Sequence, residues 1–114
     1  MENKVNQINF DFNGRHYCLE YTPASIKQME GAGFSINDLY DKPATRIEQL
    51  WAGAFIANHR KVSATIIKDL YGKMKDKETL LQKLVEMYNN ALNYLLPDES
   101  EEGGEGNVEW TATL

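Results

Sequence analysis

Three side chains in this sequence have the chemistry to ligate a metal or attack a substrate: His16, Cys18 and His59. His16 and Cys18 stand two residues apart, which on a β-strand puts both on one face and within reach of a single ion. Zinc normally takes four ligands, however, and the second histidine is remote in sequence with no second cysteine to join it. The pair therefore reads as strand surface, and no neighbouring base is placed by spacing to activate Cys18 as a nucleophile. A second pattern lies near the C-terminus. Asp98, Ser100, Glu102, Gly103 and Glu109 fall at positions one, three, five, six and twelve of the calcium-loop template. Glu105 occupies a position that should be aliphatic, Pro97 interrupts the entering helix, and five residues after Glu109 are too few for an exiting one. An acidic flexible linker is the better reading. Gly31-Ala32-Gly33-Phe34 lacks the Lys and Ser/Thr of a phosphate loop and reads as a helix stop. No catalytic, cofactor or metal constellation emerges, so the expectation is a protein that is not an enzyme.

Charge separates the chain into two parts. All 12 Lys and Arg lie in residues 1–97 with 11 of the 17 acidic residues, so that part is close to neutral. Asp98, Glu99, Glu101, Glu102, Glu105 and Glu109 come after it with no base among them, interrupted by Gly103, Gly104 and Gly106. We therefore expect one domain over 1–97 and an acidic, flexible tail with an apolar tip over 98–114. His59-Arg60-Lys61 with Lys68, Lys73, Lys75 and Lys77 forms no broad basic surface, because Asp69, Asp76 and Glu78 alternate with it. Nucleic acid is not an expected partner, and the tail would repel phosphate. The lone Cys18 fits a reducing compartment, and the N-terminus shows no apolar signal segment. No apolar run approaches the roughly 18 residues of a membrane helix, so the expected location is cytoplasmic, without membrane.

The elements that would carry these residues are legible from turns and periodicity. Asn13-Gly14 suits a two-residue type I′ turn, which pairs Phe12 with Arg15, Phe10 with Tyr17 and Ile8 with Leu19. Ile8, Phe10 and Phe12 then share a face with Tyr17, Leu19 and Tyr21, and this face needs helices to cover it. Thr22-Pro23 opens a helix that ends at Gly31-Ala32-Gly33. Ser35 and Asp38 resemble a capping box for a short helix ending at Tyr40. Pro43 starts a second long helix with Ile47, Leu50, Trp51, Ala54, Phe55 and Asn58 in register, ending at His59-Arg60-Lys61 and expected to be the most buried. Ser63 caps a third, with a stripe of Ile66, Ile67, Leu70, Tyr71 and Met74. Asp76 caps a fourth, from Lys77 to Leu96, facing inward through Leu81, Leu84, Val85, Tyr88, Leu92 and Leu95. The fold expected is α+β and mostly helical: an N-terminal β-hairpin on a bundle of about four helices, with an acidic C-terminal tail.

The tip is the remaining feature. Trp110, flanked by Val108 and Leu114, is costly to leave in water yet too isolated to build a core. It either docks as an extra strand on the hairpin edge or serves as a short linear motif for a partner. Val108, Trp110 and Leu114 are therefore the candidate partner-binding residues.

Phe12-Asn13-Gly14-Arg15-His16-Tyr17-Cys18-Leu19-Glu20-Tyr21-Thr22, Ser25-Ile26-Lys27-Gln28-Met29-Glu30, Gly33-Phe34, Asp41-Lys42-Pro43-Ala44-Thr45 and Leu50-Trp51-Ala52-Gly53-Ala54-Phe55 succeed one another in an order that is similar to a known group. With the charged turn at His59-Arg60, the last two helices and Val108-Glu109-Trp110, the chain resembles the tail assembly chaperones of long-tailed bacteriophages, mostly those of Gram-positive bacteria. The resemblance covers nearly the whole chain and rests on the order of elements more than on any one motif. It implies a non-virion protein of the bacterial host cytoplasm. Its partners would be protein clients, the tape measure protein and the tail tube protein, with a homo-oligomer or a multi-copy coat on the client among the forms expected. The alternative reading is a small phage or prophage regulatory or anti-host protein that blocks a bacterial protein target, its acidic tail mimicking nucleic acid.

Overall fold

The computed structural model describes residues 6–96, 109 and 111–113. The chain is α+β and mostly helical. β1 (Ile8–Phe12) and β2 (Arg15–Leu19) form an antiparallel hairpin, and the chain continues through α1 (Pro23–Gly31), a single 3₁₀ turn (Ile36–Asp38), α2 (Pro43–Gly53), α3 (Ala64–Lys73) and α4 (Lys77–Asn93). Most of the acidic tail, including Val108, Trp110 and Leu114 and all of the calcium-like pattern but Glu109, lies outside the described residues.

The hairpin adopts the expected register, with Ile8 opposite Leu19, Phe10 opposite Tyr17 and Phe12 opposite Arg15. Asn13 and Gly14 have φ of 54° and 77°, the left-handed pair that a type I′ turn requires. Tyr17, Leu19 and Tyr21 are buried, and Ile8, Phe10 and Phe12 pack against them at half burial. The hairpin thus lays its aromatic face on the helices, as a two-stranded sheet must to be stable.

α1 begins with a true capping box, whereas the sequence pattern suggests one at Ser35. The Ser25 N–H donates to Thr22 Oγ1 at 3.1 Å and the Thr22 N–H to Ser25 Oγ at 2.9 Å. Ser35 makes no side-chain cap, and only the 3₁₀ turn succeeds it. α1 ends where its glycines indicate. Gly33 takes φ 100°, the Phe34 N–H bonds the Met29 carbonyl and the Gly33 N–H bonds that of Glu30. That pattern is a Schellman stop, with buried Phe34 beside buried Met29 as its apolar partner.

α2 is the central helix, in contact with α1, α3, α4 and the 3₁₀ turn, and it buries Leu50 and Trp51. It stops at Gly53, well before the expected end at His59. Beyond it the Ala54, Phe55 and Ile56 N–H groups bond carbonyls three residues back, giving consecutive tight turns. The spacing of Ala54, Phe55 and Asn58 imitates a helix, but the hairpin captures this stretch through bonds from β2 and the residues after it. α3 is capped by Ser63, whose hydroxyl accepts the Ile66 N–H. Of its expected stripe only Leu70 is fully buried, and Ile66 is exposed. α4 is capped by Asp76 at a left-handed φ of 53°. It ends at Asn93, and its buried face runs through Leu80, Leu84, Met87 and Tyr88. Leu95 is exposed, so the expected stripe lies rotated toward Leu81 and extends too far. Because α4 packs on both α1 and α2, two neighbours widen its buried face beyond a single stripe. No helix among the described residues is long and apolar enough to cross a membrane.

The turn is the local feature on which the hairpin depends. A Cβ at Gly14 meets no neighbouring atom, so the only penalty for a larger residue is its positive φ. Gly14→Val is expected to lower unfolding free energy by about 1–3 kcal/mol, read from urea melts. An unchanged midpoint and slope would exclude the strained turn.

Candidate interaction groove and the hairpin seam

The residues with potential chemistry are engaged in contacts of the fold. His16 Nδ1 donates to Asp11 Oδ1 at 2.7 Å and its Nε2 lies 3.2 Å from Asn9 Oδ1, all at the exposed outer face of the hairpin. Burial, then the Glu20 carboxylate, push the Cys18 thiol above its ordinary pKa, which disfavours the thiolate a nucleophile needs. Among the described residues no three His, Cys, Asp or Glu side chains gather where they could hold a metal ion. The lysines of the basic run are engaged locally: Lys68 with Glu48, Lys73 with Asp69, and Lys77 with the Gly72 and Met74 carbonyls. A solvated face is what they form.

His59, set apart by sequence distance, is brought to Cys18 after all, as a structural contact. Its Nε2 accepts the Cys18 N–H at 3.0 Å, while Asn58 Nδ2 donates to the Cys18 carbonyl at 3.1 Å and to Glu20 Oε2 at 2.8 Å. Next along the chain, the Glu20 N–H donates to the Ala54 carbonyl at 3.1 Å. Residues 54–59 therefore satisfy the outward backbone groups of Cys18 and the Glu20 N–H in place of a third strand, and leave those of His16 free of them. The Tyr21 hydroxyl donates to the Leu50 carbonyl at 2.6 Å, and the Ala54 N–H turns to the Trp51 carbonyl. Burial, with Tyr88 beside it, raises the Tyr21 phenol well above its ordinary pKa, so the donor proton is retained.

A groove of about 670 Å³ lies between α2 and α3. Ile47, Trp51, Ile67 and Tyr71 line it together with Pro43, Ala44, Ala52 and Ala64. The Trp51 indole N–H donates to the Ile67 carbonyl at 2.7 Å and fixes the two helices together. Glu48 and Lys68 pair at 3.4 Å from one helix to the other at the rim. Such a site can bind an apolar helix face or aromatic group, with polar groups only at its border. The helix stripes through Trp51 and Tyr71 are legible in the sequence, but the groove is not. Its one sequence trace is the pair of alanines Ala44 and Ala52, two four-residue steps apart on α2, both of which line it.

Comparison with protein families gives one match over residues 1–114, to a family described as Domain of unknown function (DUF5055), and the chain belongs to that family. No curated protein matches the chain. No solved structure matches it either.

The seam carries a pH dependence. Burial first, then the charges of Arg15 and His16, lower the His59 pKa, while Cys18 donates only to an Nε2 that carries no proton. A depressed folded pKa means that the unfolded chain binds the proton first. Stability is then full above about pH 6.5 and declines as pH falls from there toward the folded value. His59→Gln keeps a side-chain acceptor and removes this titration, so its stability should fall less than wild type between about pH 7 and 5.5. Parallel stability–pH curves for the two proteins would refute the linkage.

Proposed function

We propose that this protein is a bacteriophage tail assembly chaperone that acts by reversible binding to the tape measure protein, and to tail tube subunits, during tail morphogenesis. The observation that carries the reading is the α2–α3 groove. It is apolar and bordered by charge, and it suits the apolar face of an amphipathic helix, the form in which a long helical client exposes its aggregation-prone surface. The resemblance of the ordered elements from Phe10 onward supplies the client class. Binding of this kind needs no cofactor, and the host cytoplasm is where it would occur.

The test is co-expression of the full chain with the tape measure protein encoded beside it, then capture on a tagged client. Ala44 and Ala64 are exposed, line the groove and occupy the first turns of α2 and α3, where carboxylates are tolerated. Ala44→Glu with Ala64→Glu should leave helical circular dichroism unchanged and weaken client binding at least about tenfold, roughly 1.4 kcal/mol. Undiminished binding would remove the groove from the account, and failure of the wild-type chain to bind any tail protein would remove the function.

A further inference from the structure

We infer that the free edge of β1 is a docking site for the C-terminal segment, residues 108–114, of a second copy of this chain. The inference does not depend on the chaperone reading. In a hairpin with a two-residue loop, the pairs Phe12–Arg15, Phe10–Tyr17 and Ile8–Leu19 exchange the inner backbone bonds. Asn9 and Asp11 on β1, and His16 and Cys18 on β2, then turn their N–H and C=O groups outward. The fold treats the two edges differently. On β2 the Cys18 groups are taken by His59 and Asn58, and Glu20, next in the outward series, donates to Ala54. On β1 no other described residue hydrogen-bonds the backbone groups of Asn9 or Asp11, and both residues are exposed. An edge left open in this way is a template for an added strand.

The C-terminal segment has the pattern of such a strand. In Val-Glu-Trp-Thr-Ala-Thr-Leu, Val108, Trp110, Ala112 and Leu114 alternate with Glu109, Thr111 and Thr113. The alternation is strict, and β-branched and aromatic residues predominate. β1 offers a matching face. Ile8, Phe10 and Phe12 are only half buried, and the Phe10 ring stacks 5.1 Å from Tyr17 and 6.5 Å from Trp51. An added strand in register would continue this row with its own apolar residues and leave Glu109 and the threonines beside Asn9 and Asp11 in water.

A second copy supplies the strand. In the single chain Ala112, which belongs to the apolar face of the pattern, is exposed, as are Glu109, Thr111 and Thr113, and none of these lies in a strand. Each copy therefore brings an edge that no described residue pairs and a segment with the sequence pattern of a strand. Because donor and acceptor surfaces differ, the segment is either exchanged reciprocally in a two-fold pair or passed head-to-tail into rings or open chains.

The test is sedimentation of the full chain over a range of concentrations, with amide exchange measured at Asn9 and Asp11. Mass should rise with concentration, and exchange at both amides should slow at least about tenfold in the associated state. Trp110→Pro with Thr111→Pro should abolish both effects without loss of helicity. Asp11→Pro blocks the acceptor edge without touching an inner hairpin bond, and mixing it with the tip variant should restore pairs joined by one contact. A wild-type chain that stays monomeric, association indifferent to the tip substitutions, or protection that does not vary with concentration would each overturn the inference.

Discussion

The end of α2 is held against β2 by bonds that neither element can make alone. Four of them converge there: Tyr21 to the Leu50 carbonyl, Glu20 to the Ala54 carbonyl, Cys18 to His59, and Asn58 to the Cys18 carbonyl. The Tyr21 bond is buried and the Cys18–His59 bond partly so, and a buried polar group left without a partner costs about 1–3 kcal/mol, which couples the hairpin to the helix terminus. The concession is made by α2, which gives up helical bonding after Gly53 and continues in tight turns. From this seam the rest of the packing extends. Trp51 meets Phe55 edge-on and binds the Ile67 carbonyl, which attaches α3. Tyr21 and Phe34 both meet the Tyr88 ring edge-on, which attaches α4.

That dependence explains which parts of the fold are legible in the sequence. The hairpin can be read because the Asn13-Gly14 turn and the alternation on both sides specify one register. The stop of α1 can be read because a left-handed residue such as Gly33 closes it. The end of α2 cannot, since its cause lies in Tyr21 and Glu20, far earlier in the chain, while Ala54, Phe55 and Asn58 keep helical spacing. The same non-local logic brings His59 to Cys18. On α4, Leu80 and Met87 are buried because two helices cover it, a fact no single periodicity contains. The α2–α3 groove is hidden for a different reason: alanines are prominent in its lining, and small residues give little hydrophobic signal. The tip residues Val108, Trp110 and Leu114 fall outside the described part of the chain, so only their sequence pattern speaks for them.

The described side chains with reactive chemistry make contacts within the fold: His59 accepts the Cys18 N–H, and His16 bonds Asp11 at the surface. Among the described residues, an apolar groove lined by Trp51 and Tyr71 and a β1 edge without backbone partners both adjoin the aromatic row from Phe10 through Trp51 to Tyr71. The proposed occupants differ in shape, a helix face for the groove and an extended strand for the edge, so the two are compatible in one molecule.

Native-state hydrogen exchange on the β2 amides tests the seam most directly. The Cys18 and Glu20 N–H groups point away from β1 and would exchange freely in an isolated hairpin, as the outward His16 N–H should. With the seam in place, Cys18 and Glu20 should exchange only through opening at close to the free energy of global unfolding, while His16 exchanges quickly. Equally fast exchange at all three would contradict the account, since it would show that residues 54–59 do not close the edge of β2.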